Sequence, residues 1–156
     1  MMLLGLTAMA VQAGETKVTS PDGRLVVTIN DNGGQPTYCV NYDGKPMLMP
    51  SALGLKTDIG DFTRGLSFKE MKESQIDKTY TMTRTKASSA HYVARQADIT
   101  YTNSMGLPLT ITFCVSNNDV AFRYLIPRQK NDNPKCAVIE KESTAFRLPD
   151  GTTTFI

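Results

Sequence analysis

Leu109-Thr-Ile-Thr-Phe-Cys-Val115, Asn117-Asn-Asp119 and Val120-Ala-Phe-Arg-Tyr-Leu-Ile126 follow one another and decide the fold. Leu109, Ile111, Phe113 and Val115 recur at every second residue, with Thr110 and Thr112 between them. Side chains of an extended chain alternate between two faces, so this spacing gives one apolar and one polar side. Asn and Asp tolerate left-handed backbone and bond their own main chain, so Asn117-Asn118-Asp119 predicts a turn. Val120, Phe122, Tyr124 and Ile126 then resume the period of two, which predicts a β-hairpin.

The pattern extends in both directions. Ala97-Asp-Ile-Thr-Tyr-Thr102 reads as a preceding strand turned by Asn103-Ser-Met-Gly106, making a three-strand meander. Nearer the start, Leu25, Val27 and Ile29 alternate up to Asn30-Asp-Asn-Gly-Gly34. Thr37-Tyr-Cys-Val-Asn-Tyr42 is their partner, and Asp43-Gly44 is a tight-turn signal. Many short strands separated by Gly, Asn and Pro turns predict an all-β fold, a β-sandwich. One stretch is ambiguous. Ser67-Phe-Lys-Glu70 has the form of a helix capping box, but Leu66 and Phe68 also alternate, and Ser74, Gln75, Asp77 and Thr79 are weak helix formers. The reading adopted is a strand that gives way to a polar loop. Residues 128–135 read as an exposed loop.

Composition adds limits rather than an activity. The 156 residues carry 17 Lys+Arg and 15 Asp+Glu, a net charge of +2, mixed along the chain. A nucleic-acid groove or an anionic membrane site requires basic residues gathered on one face, and neither is predicted. A hydrophobic fraction of 40 % suits one folded domain. Residues 1–13 contain no charge and end in a small-x-small pattern at Val11 and Ala13, which reads as a secretory signal peptide without its usual basic start. The run is too short to span a bilayer, which takes ~20 apolar residues. A buried N-terminal helix is the alternative. Cleavage after Ala13 would leave a domain of residues 14–156 in the periplasm. The chain stops within Thr152-Thr-Thr-Phe-Ile156, β-favouring residues with no closing turn, so the sandwich is expected to be incomplete there.

The candidate chemistry is thin. Glycoside hydrolysis uses two carboxyl groups facing each other across a sugar. Asp58 and Asp61, in a Gly-flanked loop, are the nearest local pair, but turn-forming carboxylates that accept nearby N–H groups explain them more simply. Glu140 and Glu142 would share a strand face, where neighbouring Lys or Arg suffices to account for them. His91, the single histidine, reads as a half-buried packing residue. No Ser sits in a nucleophile elbow, and no phosphate-binding glycine loop is present. Cys39, Cys114 and Cys136, at spacings of 75 and 22, have no metal-ligand pattern. They read as reduced thiols, with one disulfide as the alternative. The six Tyr and six Phe fall mostly at inward phase, with no Trp to form a sugar platform. No catalytic, cofactor-binding or metal residue is therefore assigned.

Several motifs taken in order carry a family resemblance. They are Ser20-Pro-Asp-Gly-Arg-Leu25, Val40-Asn-Tyr-Asp-Gly-Lys-Pro46, Ser51-Ala-Leu-Gly-Leu-Lys56 leading to Asp61-Phe62, Val115-Ser-Asn-Asn-Asp-Val-Ala-Phe-Arg-Tyr124 and Thr144-Ala-Phe-Arg-Leu-Pro-Asp-Gly-Thr152. From Ser20 to Ile156 the chain resembles the N-terminal domain of glycoside hydrolase family 97, the α-glucosidases and α-galactosidases of Bacteroidetes-type bacteria. The resemblance implies a galactose-mutarotase-like super-sandwich followed by a (β/α)₈ barrel that holds the catalytic carboxylates and most calcium ligands. None of those residues maps onto this sequence. Phe155 stands where family members often have Trp. The expected role is that of a non-catalytic portion packing beside the barrel of an oligosaccharide-cleaving enzyme. A stand-alone carbohydrate-binding or structural module is the alternative.

Overall fold

A computed structural model describes residues 14–83, 88–128 and 137–153, and every regular element in them is a β-strand. In chain order these are β1 (Glu15–Thr19), β2 (Leu25–Asn30), β3 (Thr37–Tyr42), β4 (Lys45–Ala52), β5 (Leu55–Thr57) and β6 (Gly60–Asp61). They continue with β7 (Ser67–Thr81), β8 (Ser89–Thr102), β9 (Pro108–Ser116), β10 (Val120–Leu125) and β11 (Ile139–Glu142). Two four-stranded sheets, in the orders β1-β2-β3-β4 and β10-β9-β8-β7, form the sandwich. A small sheet of β11-β5-β6 lies alongside. All pairings are antiparallel.

The hairpin read from residues 109–126 is β9–β10, paired Phe113 to Phe122 and Val115 to Val120. Its inward set behaves as the alternation requires. Leu109, Ile111, Phe113 and Val115 are fully buried, while Phe122, Tyr124 and Ile126 are half-buried against the same core. From the facing sheet come Val18, Leu25, Val27, Ile29, Tyr38, Val40 and Leu48. The layers are joined by rings: Tyr38 lies 5.8 Å from Phe113 and 5.4 Å from Phe122, centroid to centroid. Burying each large apolar side chain contributes ~1.5–3 kcal/mol, which makes this shared layer the main stabilising element.

The first hairpins also form as read, with β2–β3 in unbroken register from Leu25–Tyr42 to Asn30–Thr37. Asp43 and Gly44 both take positive φ, +49° and +75°, between β3 and β4. Two consecutive left-handed residues are what a tight two-residue hairpin turn requires, and Asp-Gly supplies them at small steric cost.

Three readings need correction. Residues 74–79 are not a loop: β7 runs without a break to Thr81, matched residue for residue by β8 from Glu70–Thr100 to Thr81–Ser89. Weak helix formers are not strand breakers, and with no Gly or Pro present the cross-strand ladder carries the chain onward. β9 pairs only with residues 94–102 of β8, so the outer part of β7–β8 overhangs the sandwich as a two-stranded arm. His91 lies on that arm and is exposed rather than half-buried. At the C-terminal end, Thr152 and Thr153 are not in a strand. The Thr152 hydroxyl instead donates to the Pro149 carbonyl at 2.6 Å in a turn. Residues 1–13, 129–136 and 154–156, which include the apolar leader, Cys136 and most of the 128–135 loop, lie outside the described residues. Arg128 itself is exposed.

Candidate functional site

Of the acidic residues singled out as candidate chemistry, Asp58, Asp61 and Glu140 are committed to local structure. The Asp58 carboxylate accepts the Val138 N–H at 2.8 Å, while the Asp58 N–H donates to the Val138 carbonyl at 3.1 Å. Asp58 thus pins the start of β11 to the end of β5. Asp61 accepts from the Thr63 N–H at 2.8 Å and from the Thr63 hydroxyl at 2.6 Å, with Arg64 at 3.7 Å. These hydrogen bonds, led by the Thr63 hydroxyl, hold its carboxyl below the usual carboxylate range. A carboxyl so stabilised as its anion is a poor proton donor, the opposite of what a glycosidic general acid needs. Glu140 pairs with Lys56 at 3.2 Å, and both Glu140 and Glu142 are exposed on β11. A bulge between Ile139 and Lys141 breaks the regular alternation there. His91 Nε2 lies 2.7 Å from Asp77 Oδ1 across the β7–β8 arm.

Among the described residues no group of three or more His, Cys, Asp and Glu converges on one point. Cys39 and Cys114 are free and half-buried on outward strand positions. Cys114 Sγ donates to Gln96 at 3.6 Å, and burial pushes its thiol pKa up, so it carries little thiolate.

Two surface features remain. The first is a cleft of about 310 Å³ between β1 and the β9-paired part of β7–β8, lined by Lys17, Thr19, Glu73, Gln75, Arg95 and Gln96. The second is a ribbon of residues 138–148 running antiparallel beside β5 and β4. It is stitched by Ser143 N–H to Gly54 O (2.8 Å), Ala145 N–H to Ala52 O (3.0 Å) and Met49 N–H to Arg147 O (2.8 Å). Tyr124 braces the ribbon from the other sheet. Its hydroxyl accepts the Gly54 N–H at 2.9 Å and meets the Thr144 hydroxyl at 2.8 Å. The ribbon covers the β4 edge, yet leaves Val138, Ile139, Phe146 and Leu148 exposed, with Met47 of β4 also exposed. Phe146 is 68 % exposed although its ring lies edge-to-face with Tyr38 and tilted against Phe122.

The sequence reading missed both features. Phe146 and Leu148 alternate around Arg147, a weak strand signal, but whether such residues point in or out depends on what lies beyond them.

Residues 18–156 match the family described as Glycosyl-hydrolase 97 N-terminal. The chain belongs to this family. A probable retaining alpha-galactosidase of Streptomyces bingchenggensis (strain BCW-1) is 25 % identical over 144 residues, 92 % of this chain and 21 % of the relative. Among solved structures, a beta-arabinopyranosidase superposes with a TM-score of 0.80 at 39 % identity, covering 86 % of this chain and 21 % of that one. A glycoside hydrolase family 97 enzyme from Pseudoalteromonas sp. strain K8, in complex with panose, gives 0.77 at 21 % identity, covering 86 % and 20 %. This glycosyl-hydrolase 97 N-terminal domain thus spans about a fifth of the length of the proteins it matches. The sandwich is the family's N-terminal fold.

Proposed function

We propose that this domain is the non-catalytic N-terminal module of an exported pyranoside hydrolase, packing through the 138–148 ribbon against a (β/α)₈ catalytic barrel. One observation carries the reading: the ribbon exposes Val138, Ile139, Phe146 and Leu148 beside Met47. Exposed apolar side chains concentrated in one short stretch favour an interaction surface, whereas singly scattered ones are ordinary. The share of the relatives' length that lies beyond the match leaves ample room for a catalytic partner domain. The names of those relatives support a pyranoside substrate, with a galactoside, an arabinopyranoside and panose, a glucose oligosaccharide, all represented among them. In such an enzyme the barrel supplies the acid, the second carboxylate and the calcium ligands, and this module shapes the neighbouring surface. The uncharged stretch of residues 1–13 supports export to the periplasm, with cleavage after Ala13 leaving Gly14 as the first residue.

A chimera tests this. Residues 14–156 replace the N-terminal fifth of the beta-arabinopyranosidase relative, and the product is assayed for solubility and turnover. The expected result is a soluble, active chimera that loses solubility or activity with Ile139→Asp or Phe146→Asp. An active chimera indifferent to both substitutions would remove the ribbon from the interface.

A further inference from the structure

The longest strand of the domain is also an open edge. β7 has 15 residues and ends the β10-β9-β8-β7 sheet, and no strand among the described residues pairs with its outer side. From Glu70 to Thr81 it carries no bulge or Pro, and its charges are of both signs, Lys72 and Lys78 with Glu70, Glu73 and Asp77, so they can complement a second copy as well as repel one. A cleft lies between β1 of the facing sheet and residues 73–75 of this edge.

We infer that β7 pairs edge to edge with β7 of a second copy of this chain, antiparallel and centred on Ser74, joining the two sheets into one of eight strands. The register follows from charge. Centred on Ser74, Glu70 of each copy faces Lys78 of the other, Lys72 faces Ile76, and Glu73 faces Gln75, across an unbulged span of residues 70–78. Opposite charges placed directly across a strand pair are favourable and like charges unfavourable. A face-preserving slide of two residues one way sets Glu73 against Glu73; the other way, it sets Lys72 against Lys78 and Glu73 against Asp77. Further slides give Lys72 on Lys72, or Ile76 on Ile76 with no opposite-charge pair. Centring on Met71 restores Glu70–Lys72 pairs, but the bulge between Phe68 and Glu70 cuts that ladder short. Lys72 already lies 3.3 Å from Glu70 along the strand, whereas Lys78 makes no ion pair among the described residues and is free to take the second copy's Glu70. The edge lies across the sandwich from the apolar ribbon, so this dimer is independent of the module reading above.

Light scattering on the full chain is the test, with the fold of each variant checked by circular dichroism. The expected mass is twice the 17.1 kDa of one chain. Glu70→Lys should return it to the single-chain value, and Glu70→Lys combined with Lys78→Glu should restore the dimer. On mild oxidation Ser74→Cys should cross-link to a covalent dimer beyond the wild-type background, while Lys72→Cys, four residues out of register with its own copy, should not. The Ser74→Cys result decides the question even if Glu70→Lys misfolds. A monomeric wild type, a dimer indifferent to the charge swap, a dimer dissolved by Phe146→Asp instead, or cross-linking through Lys72→Cys would each overturn the pairing.

Discussion

Phe113→Ala is the perturbation that most directly probes how the two sheets hold together. Phe113 is fully buried on β9 and sits 5.8 Å from Tyr38 of the facing sheet and 5.5 Å from Phe122 of β10. Removing a buried Phe ring typically costs ~3–5 kcal/mol, combining lost transfer energy with the cavity left behind. Both ring partners belong to hydrogen-bonded strands that can shift little to refill the space, which places the expected loss toward the upper end. Against a total stability of ~5–15 kcal/mol for a domain, that is a large fraction, and it corresponds to a fall of roughly 10 °C or more in Tm. The matched control is Phe146→Ala. That ring touches Tyr38 and Phe122 but is mostly exposed, so its loss should cost no more than ~1–1.5 kcal/mol. Urea unfolding followed by far-ultraviolet circular dichroism gives both values. A Phe113→Ala loss under ~1 kcal/mol, or one smaller than that of Phe146→Ala, would refute the shared aromatic layer as the main tie between the sheets.

Further outcomes follow from single sites. Gly54 has φ +137°, and a Cβ there would lie 2.6 Å from the Phe62 carbonyl oxygen, so Gly54→Ala should destabilise by ~1–3 kcal/mol or more; an unchanged melting temperature contradicts this. Burial raises the hydroxyl pKa of Tyr38 and of Tyr101 from 10.0 to about 12, so the unfolded chain ionises first. Stability should therefore hold below pH 10 and fall as pH rises toward 12, with tyrosinate absorbance appearing late for these two; a flat alkaline limb would be inconsistent. The depressed pKa of Asp61 works in the opposite direction, contributing stability above the unfolded carboxyl pKa that disappears as pH falls through the folded value. Asp61→Asn should lower stability near neutrality and flatten the acid limb of the melting profile.

How much was legible beforehand tracks how local the cause is. The β9–β10 hairpin could be read because alternation and an Asn-Asn-Asp turn are written within a few residues, and both survive unchanged. The continuation of β7 through Ser74 and Thr79 could not, since it is imposed by the ladder to β8, with Ile76 paired to Ala94 and Asp77 to Val93. His91 shows the same limit. Its strand was read correctly, but its exposure follows from the arm projecting beyond β9. The turn role of Asp58 and Asp61 was readable from residue type and flanking glycine, although the Val138 N–H that Asp58 accepts lies 80 residues away. The apolar ribbon was the least legible, because Phe146 and Leu148 look like core residues until the surrounding layers are in place.

The proposal that this glycosyl-hydrolase 97 N-terminal domain works as a non-catalytic module can be checked without its partner domain. Its most direct test is an assay of purified residues 14–156 on aryl α-galactosides, α-glucosides and β-arabinopyranosides, with calcium and with chelator. No turnover is expected under either condition. Calcium-dependent turnover abolished by Asp58→Asn or Asp61→Asn would contradict the proposal and make those loop carboxylates catalytic.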